Sequence, residues 1–185
     1  LLKRMLTNKP KINIPKKNGR TVLYDVINYN NLDLIKLILN NGCDANIKDL
    51  QGNTPLSVLI DEGVKIKKPK ERELFIERLV FLLKFRVDVN SVDLDGKTVF
   101  HKAIIANDLE VIEKLLSKKA DLNIKDRQGR TALHHTQWKG NYKIAKLLIA
   151  AGADMNETDY AGFSILNYAA ILGHVPLMVV LIASG

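Results

Sequence analysis

The chain has 185 residues, a formal net charge of +8, 46% hydrophobic residues and a single cysteine. Its apolar content is that of an ordered chain, and no apolar run reaches the roughly 18 residues that a membrane helix needs. One thiol, Cys43, excludes an internal disulfide framework and fits a reducing intracellular setting, with the cytoplasm expected. The charge is lopsided: residues 1–20 hold Lys3, Arg4, Lys9, Lys11, Lys16, Lys17 and Arg20 with no acid, so the rest of the chain carries only +1.

Read from the N-terminus, the elements recur. Gly19, Gly52, Gly96, Gly129 and Gly162 are separated by 33, 44, 33 and 33 residues, and Asn13, Asn46, Asn90, Asn123 and Asn156 step in the same order. A fixed period of this size marks a stack of small units, each burying its apolar face against its neighbours. Residues 1–15 read as the second half of a unit. Units at 16–48, 49–92, 93–125 and 126–158 follow, then an incomplete one at 159–185, all within a single domain, 1–185. Both ends fall inside units and the last helix, around Leu177–Ile182, is apolar nearly all round. The chain therefore reads as a piece of a longer array or of a multidomain protein.

Each unit is predicted as turn, helix, short loop, helix, turn. Thr21, Thr54, Thr98, Thr131 and Ser164 stand where an N-cap hydroxyl belongs, and Pro55 follows Thr54 where a missing N–H costs nothing. Gly140 ends the first helix of the 126–158 unit, predicted over 132–139; Asn30 and Asn107 hold that left-handed position in two others. The second helix of that unit carries the stripe Ile144, Ala145, Leu147, Leu148 and Ile149. The 49–92 unit is 11 residues longer. Its stripe Leu74, Phe75, Leu79, Leu82 and Leu83 predicts a long second helix from about Pro69 to Lys84, with Glu73 and Glu77 offering surface pairs to Arg78 and Lys84. A basic loop with Lys65, Lys67 and Lys68 precedes it, and Lys70 and Arg72 follow.

These units resemble the ankyrin repeat. The family pattern D-x-x-G-x-T-P-L-H-x-A, then G, an L-L pair and G-A-D-x-N, is met by Asp126, Gly129, Thr131, Leu133, His134, Gly140, Leu147, Leu148, Gly152, Ala153, Asp154 and Asn156. The 93–125 unit meets it with Asp93, Gly96, Thr98, His101, Ala103, Leu115, Ala120, Asp121 and Asn123. The resemblance implies an all-α repeat solenoid, a stack of helix-turn-helix units linked by β-hairpin-like turns. It further implies that His101 and His134 tie neighbouring turns, and that partners dock on a concave face made of turn tips and first helices.

Chemistry is sparse. No phosphate-cradling glycine loop and no Gly-x-Ser-x-Gly elbow occurs. Asp49, Asp93, Asp126 and Asp159 recur once per unit, as turn formers do. His101, His134 and His135 lack the thiolates or carboxylates at ligand spacing that a zinc site needs, and Cys43 holds the small-residue position of Ala153. No catalytic, metal or cofactor site is expected, and no enzyme.

Positions on the implied concave face change character along the chain. They are basic and polar at Lys17 and Arg20, acidic at Asp61 and Glu62, and aromatic with basic neighbours later on. Leu94, Lys97, Arg127, Arg130, Trp138, Lys139, Tyr160 and Phe163 form the candidate partner-binding set, with Ile105, Ile171 and Leu172 on the same face. Aromatic residues and arginine dominate binding energy at interfaces. The expected function is a monomeric protein-protein interaction module, a scaffold or adaptor for a protein or peptide. The alternatives are an anion-binding module, for nucleic acid or a membrane surface, through 1–20 and 65–72, or a regulatory domain of a larger enzyme or channel. The basic segments hold few aromatics for stacking on bases, so nucleic acid is the weaker anion candidate.

Overall fold

The computed structural model describes residues 11–27, 29, 31–118, 120–139 and 141–185, apart from the side chain of Lys139. Five first helices pack in one row: α1 (Val22–Val26), α3 (Pro55–Gly63), α5 (Val99–Ile105), a 3-10 helix at Leu133–Lys139, and α8 (Ile165–Ile171). Each also packs on the second helix of its own unit: α2 (Leu32–Asn40), α4 (Pro69–Leu82), α6 (Leu109–Leu116), α7 (Tyr142–Ala150) and α9 (Val175–Ser184). One continuous apolar core runs from Leu23 to Leu181. Among the described residues there is no strand, only an isolated bridge between Thr158 and Ser164. The architecture is the expected all-α solenoid.

The period of 33 exists because neighbouring units bond at fixed positions. At each turn tip a backbone N–H donates to the previous tip: Leu50 to Asn18 (3.1 Å), Leu94 to Gln51 (3.1 Å), Arg127 to Asp95 (2.9 Å) and Tyr160 to Gln128 (3.0 Å). The asparagines do the same work behind the tips. Asn13, Asn46, Asn90 and Asn123 accept, through Oδ1, the backbone N–H of Asp44, Asp88, Asp121 and Asp154 in the next unit, at 2.7–3.0 Å.

Caps follow the sequence with exceptions. Thr54, Thr98 and Ser164 each accept the N–H three residues on, and Asn107 takes the left-handed conformation at φ 61°. Thr21 sits in cap geometry, yet its buried hydroxyl has no partner. Asn30, Gly140 and the helix expected within residues 1–10 lie outside the described residues. The second helices carry caps the sequence reading passed over, on Asn31, Asp108 and Asn141.

The first helix of the 126–158 unit differs from expectation. It is 3-10 over Leu133–Lys139, entered by the i to i−3 bonds His134 N–H to Thr131 O (3.1 Å) and His135 N–H to Ala132 O (3.2 Å). His135, Thr136 and Trp138 are all weaker helix formers than leucine or alanine. The Thr136 hydroxyl also donates to the Leu133 carbonyl at 2.8 Å, competing with the regular ladder.

The longer unit spends its extra residues as expected on the second helix, with a little on the first. α4 has 14 residues, behind a loop at 64–68. The expected surface pairs of Arg78 do not form. Its side chain is buried, and it donates to the carbonyls of Ile27 (3.0 Å) and Leu74 (3.1 Å). Ile27 is the C-cap of α1, so this cation closes the end of a neighbouring unit's helix, where the dipole favours it. Burial lowers its pKa, opposed by Glu62. Arg78→Met is expected to cost about 1–2 kcal/mol, because a buried carbonyl loses its donor. Urea denaturation measures it, with hydrogen exchange at α1 as the local readout.

Candidate functional site

Each turn tip is tied together by its aspartate, both of whose oxygens are hydrogen-bonded. One oxygen of Asp49, Asp93, Asp126 and Asp159 accepts two backbone N–H groups of its own turn at 2.9–3.0 Å. The other oxygen takes a different donor in each unit: Arg20 (3.1 Å), Lys102 (3.1 Å), His135 (2.9 Å) with Arg130 (3.2 Å), and Tyr168 (2.5 Å). Burial alone would raise the Asp126 carboxyl, but the Arg130 and Gln128 N–H groups, His135 and the Arg130 guanidinium hold it below the usual carboxylate range. These acids form turns, as their recurrence predicts.

The histidines link the turns. Nδ1 of His101 and of His134 accepts the N–H of Thr98 and Thr131 (3.1 Å each), so Nε2 carries the proton. Those Nε2–H groups donate to the carbonyls of Arg130 (3.2 Å) and Phe163 (3.1 Å) in the following turns. In the first unit Tyr24 does the same job, its hydroxyl bonding the Asn53 carbonyl. Only the register, three residues after the cap, could have revealed that equivalence. His135 donates to Asp126 and leaves Nδ1 buried without a partner. Burial, with the His101 ring 5.3 Å away, pushes it down to about 4.

On this scaffold the candidate residues divide. Leu94, Trp138 and Tyr160 stand well out, at 55%, 65% and 76% exposure. Arg127 is exposed, and among the described residues it makes no ion pair. Phe163 leans on Tyr168 with ring centroids 5.4 Å apart, and remains partly exposed. Two of the cations are engaged. Lys97 reaches Asp95 at 3.4 Å, and Arg130 is drawn into its own turn by Asp126 and by Gln128 (2.9 Å). The Lys139 side chain lies outside the described residues. Ile105, Trp138 and Ile171 occupy one register position, 33 residues apart, and all three are exposed, Ile105 at 43% and Ile171 at 67%. The first helices thus present a row of large apolar side chains.

The basic segments are partly spoken for. Lys16 pairs with Asp25 (2.6 Å), Arg20 with Asp49, Lys68 with Glu71 (3.0 Å) and Arg72 with Asp108 (2.6 Å) and Glu110 (3.1 Å). Lys3, Arg4 and Lys9 lie outside the described residues. Among the described residues no group of three or more His, Cys, Asp or Glu side chains could hold a metal ion, and no helix is long and apolar enough to cross a membrane.

A stack whose turn aspartates and histidines are spent on holding the turns, and whose first helices present exposed apolar side chains, belongs to the class of helical-repeat proteins. Two family models match the chain, one described as ankyrin repeats (3 copies) over residues 74–159 and one as ankyrin repeats (many copies) over residues 5–59. The chain belongs to the ankyrin-repeat family, whose repeats are generally protein-protein interaction modules and non-enzymatic scaffolds. It is 33% identical over 86 residues to an ankyrin repeat protein of variola virus, covering 46% of this chain and 14% of that protein. It is 25% identical over 117 residues to a putative ankyrin repeat protein of Acanthamoeba polyphaga mimivirus, covering 63% of this chain and 14% of that one. A vaccinia virus relative, ankyrin repeat protein 14, is 36% identical over 56 residues, 30% of this chain and 24% of its own length. The chain thus spans a minor part of these relatives.

Proposed function

We propose that the chain is an interaction module that docks a partner protein or peptide on the face formed by its turn tips and first helices, in the units from Asp93 onward. The observation that carries the reading is the row Ile105, Trp138 and Ile171, exposed at one register position in three consecutive units. A solenoid has no packing need for large apolar side chains there, and each exposed one costs hydration free energy until something covers it. Leu94 and Tyr160 extend the row at the tips, and Arg127, in no ion pair among the described residues, supplies a cation beside them.

The anion-binding alternative has less support, since Lys16, Arg20, Lys68 and Arg72 already face acids. Affinity capture from lysate at low and high salt separates the two readings. An apolar docking face retains its partner at high salt and loses it with Ile105→Ser plus Trp138→Ser. Ligand released by salt from wild type and double variant alike points to the lysines instead, because phosphate-driven binding falls steeply with salt. A partner still captured in full by the double variant at high salt removes the concave row from the account.

A further inference from the structure

The second helices form the opposite face of the stack, and one of them is unlike the rest. α4 has 14 residues against 8 to 10 in the other second helices among the described residues. An ordinary second helix buries one stripe and gives the other to water, as α6 does with Glu110, Glu113 and Lys114. α4 has two stripes. Phe75, Leu79 and Leu82 are fully buried in the core. On its other side Glu73, Ile76, Glu77, Val80 and Lys84 succeed one another at helical spacing and line a groove of about 670 Å³. Phe81 adds to the apolar floor, Leu32 of α2 forms one wall, and Glu110 and Lys114 of α6 form the other.

The groove is electrically polar along its length. Glu73 and Glu77 are exposed at one end, Lys84 and Lys114 at the other, and among the described residues none of the four is in an ion pair. Arg72, which would neutralise the acidic end, is held by Asp108 and Glu110. Glu73 and Lys84 are eleven residues apart, about 16 Å along the helix, which exceeds the screening length of about 8 Å at physiological salt. Each end therefore acts on a ligand separately. A trough walled on both sides receives a single convex rod. Two copies of this chain, each presenting a trough, could not mesh them face to face.

We propose that the outward face of α4 is a second docking surface, which receives an amphipathic helix of about three turns from a partner protein, through an apolar stripe flanked by basic residues at one end and acidic residues at the other. The apolar stripe covers Ile76, Val80 and Phe81, the basic end meets Glu73 and Glu77, and the acidic end meets Lys84 and Lys114. Helix-in-groove recognition of this kind is read by anchors at i, i+3 or i+4, and i+7. The site is independent of the concave row and stands whether or not that row binds.

Three helical 15-residue peptides test it, each with the same leucine stripe. One is basic at one end and acidic at the other, one basic at both ends and one acidic at both. Titrated into the nitrogen-15-labelled chain, the bipolar peptide should shift amides along 73–84 and 110–114 while leaving Trp138 and Tyr160 unmoved. It should bind at least about fivefold more tightly than either single-sign peptide, the ratio expected for about 1 kcal/mol. Val80→Glu should abolish binding with an unchanged unfolding midpoint. Glu73→Lys with Glu77→Lys should transfer preference to the acidic peptide. Shifts confined to the first-helix face, equal affinity for all three peptides, or binding indifferent to both variants would overturn the proposal. Dimerisation that Val80→Glu removes, seen by sedimentation, would overturn it in favour of a second copy.

Discussion

Between pH 6.5 and pH 4 the stack is expected to lose about 3 kcal/mol of folding stability through His135 alone. The folded ring donates Nε2–H to Asp126 and holds Nδ1 in a buried place with no acceptor. A second proton would have to sit on Nδ1, charged and unpaired. The ordinary value of 6.5 therefore falls to about 4, because burial and the neighbouring His101 outweigh the attraction of Asp126. In that window the unfolded chain binds the proton and the folded chain refuses it. Stability is fully present above 6.5 and declines as the pH falls, by about 1.4 kcal/mol per unit of the gap. His101 and His134, also lowered chiefly by burial, add to the loss with the same sign. Urea midpoints at pH 7, 5.5 and 4.5 give the slope. The fold itself supplies the control, since Tyr168 performs at Asp159 the task His135 performs at Asp126, with a hydroxyl that stays neutral throughout. His135→Tyr should keep the turn bonded and flatten the acid limb. An equally steep limb in that variant would remove His135 as its cause.

The same residues show why the sequence was readable where it was. Gly129 recurs because its φ of 79° and the Tyr160 backbone, 2.7 Å from where a Cβ would stand, both exclude a side chain. Asn123 recurs because its amide oxygen meets the next unit at a fixed place. A repeating bond leaves a repeating letter. Where the bond is kept and the letter changes, the pattern goes silent: Tyr24 for histidine, or Lys102, His135 and Tyr168 taking turns on an aspartate. The ankyrin resemblance puts Leu94, Trp138 and Tyr160 on the outside, and they are outside. Arg130, in the register of Lys97 and Phe163, belongs to the same expected face and yet folds back onto Asp126, because a buried carboxylate oxygen with room for a second donor outcompetes water. Position alone carries no such information. α4 was legible as a helix, but an apolar side chain looks the same in sequence whether it faces the core, as Leu79 does, or a groove, as Val80 does.

Gly63→Val is expected to destabilise the chain by about 3 kcal/mol, near the top of the range for overpacking. Gly63 is the last residue of α3 and has ordinary helical geometry, so no backbone requirement explains the glycine. The reason is Phe75 of α4. A Cβ on Gly63 would stand 1.9 Å from its ring edge, and that ring is completely buried with nowhere to retreat. Even Gly63→Ala, which gains up to about 1 kcal/mol of helix propensity, should be destabilising because the overlap is with a fixed aromatic ring. Relief must come from moving α4 outward, and α4 holds both its neighbours: Arg78 closes α1 through Ile27, and Arg72 reaches Asp108 and Glu110 at the start of α6. In a stack whose stability is a sum of unit and interface terms, the displacement weakens two interfaces together and should broaden the unfolding transition. Phe75→Leu clears the ring from that space, so Gly63→Val in its presence should cost at least about 1.5 kcal/mol less than alone, a coupling within the range seen for touching residues. Additive costs in that double-mutant cycle, or a sharp two-state transition in Gly63→Val, would mean that α4 is not the clamp between the units on either side of it.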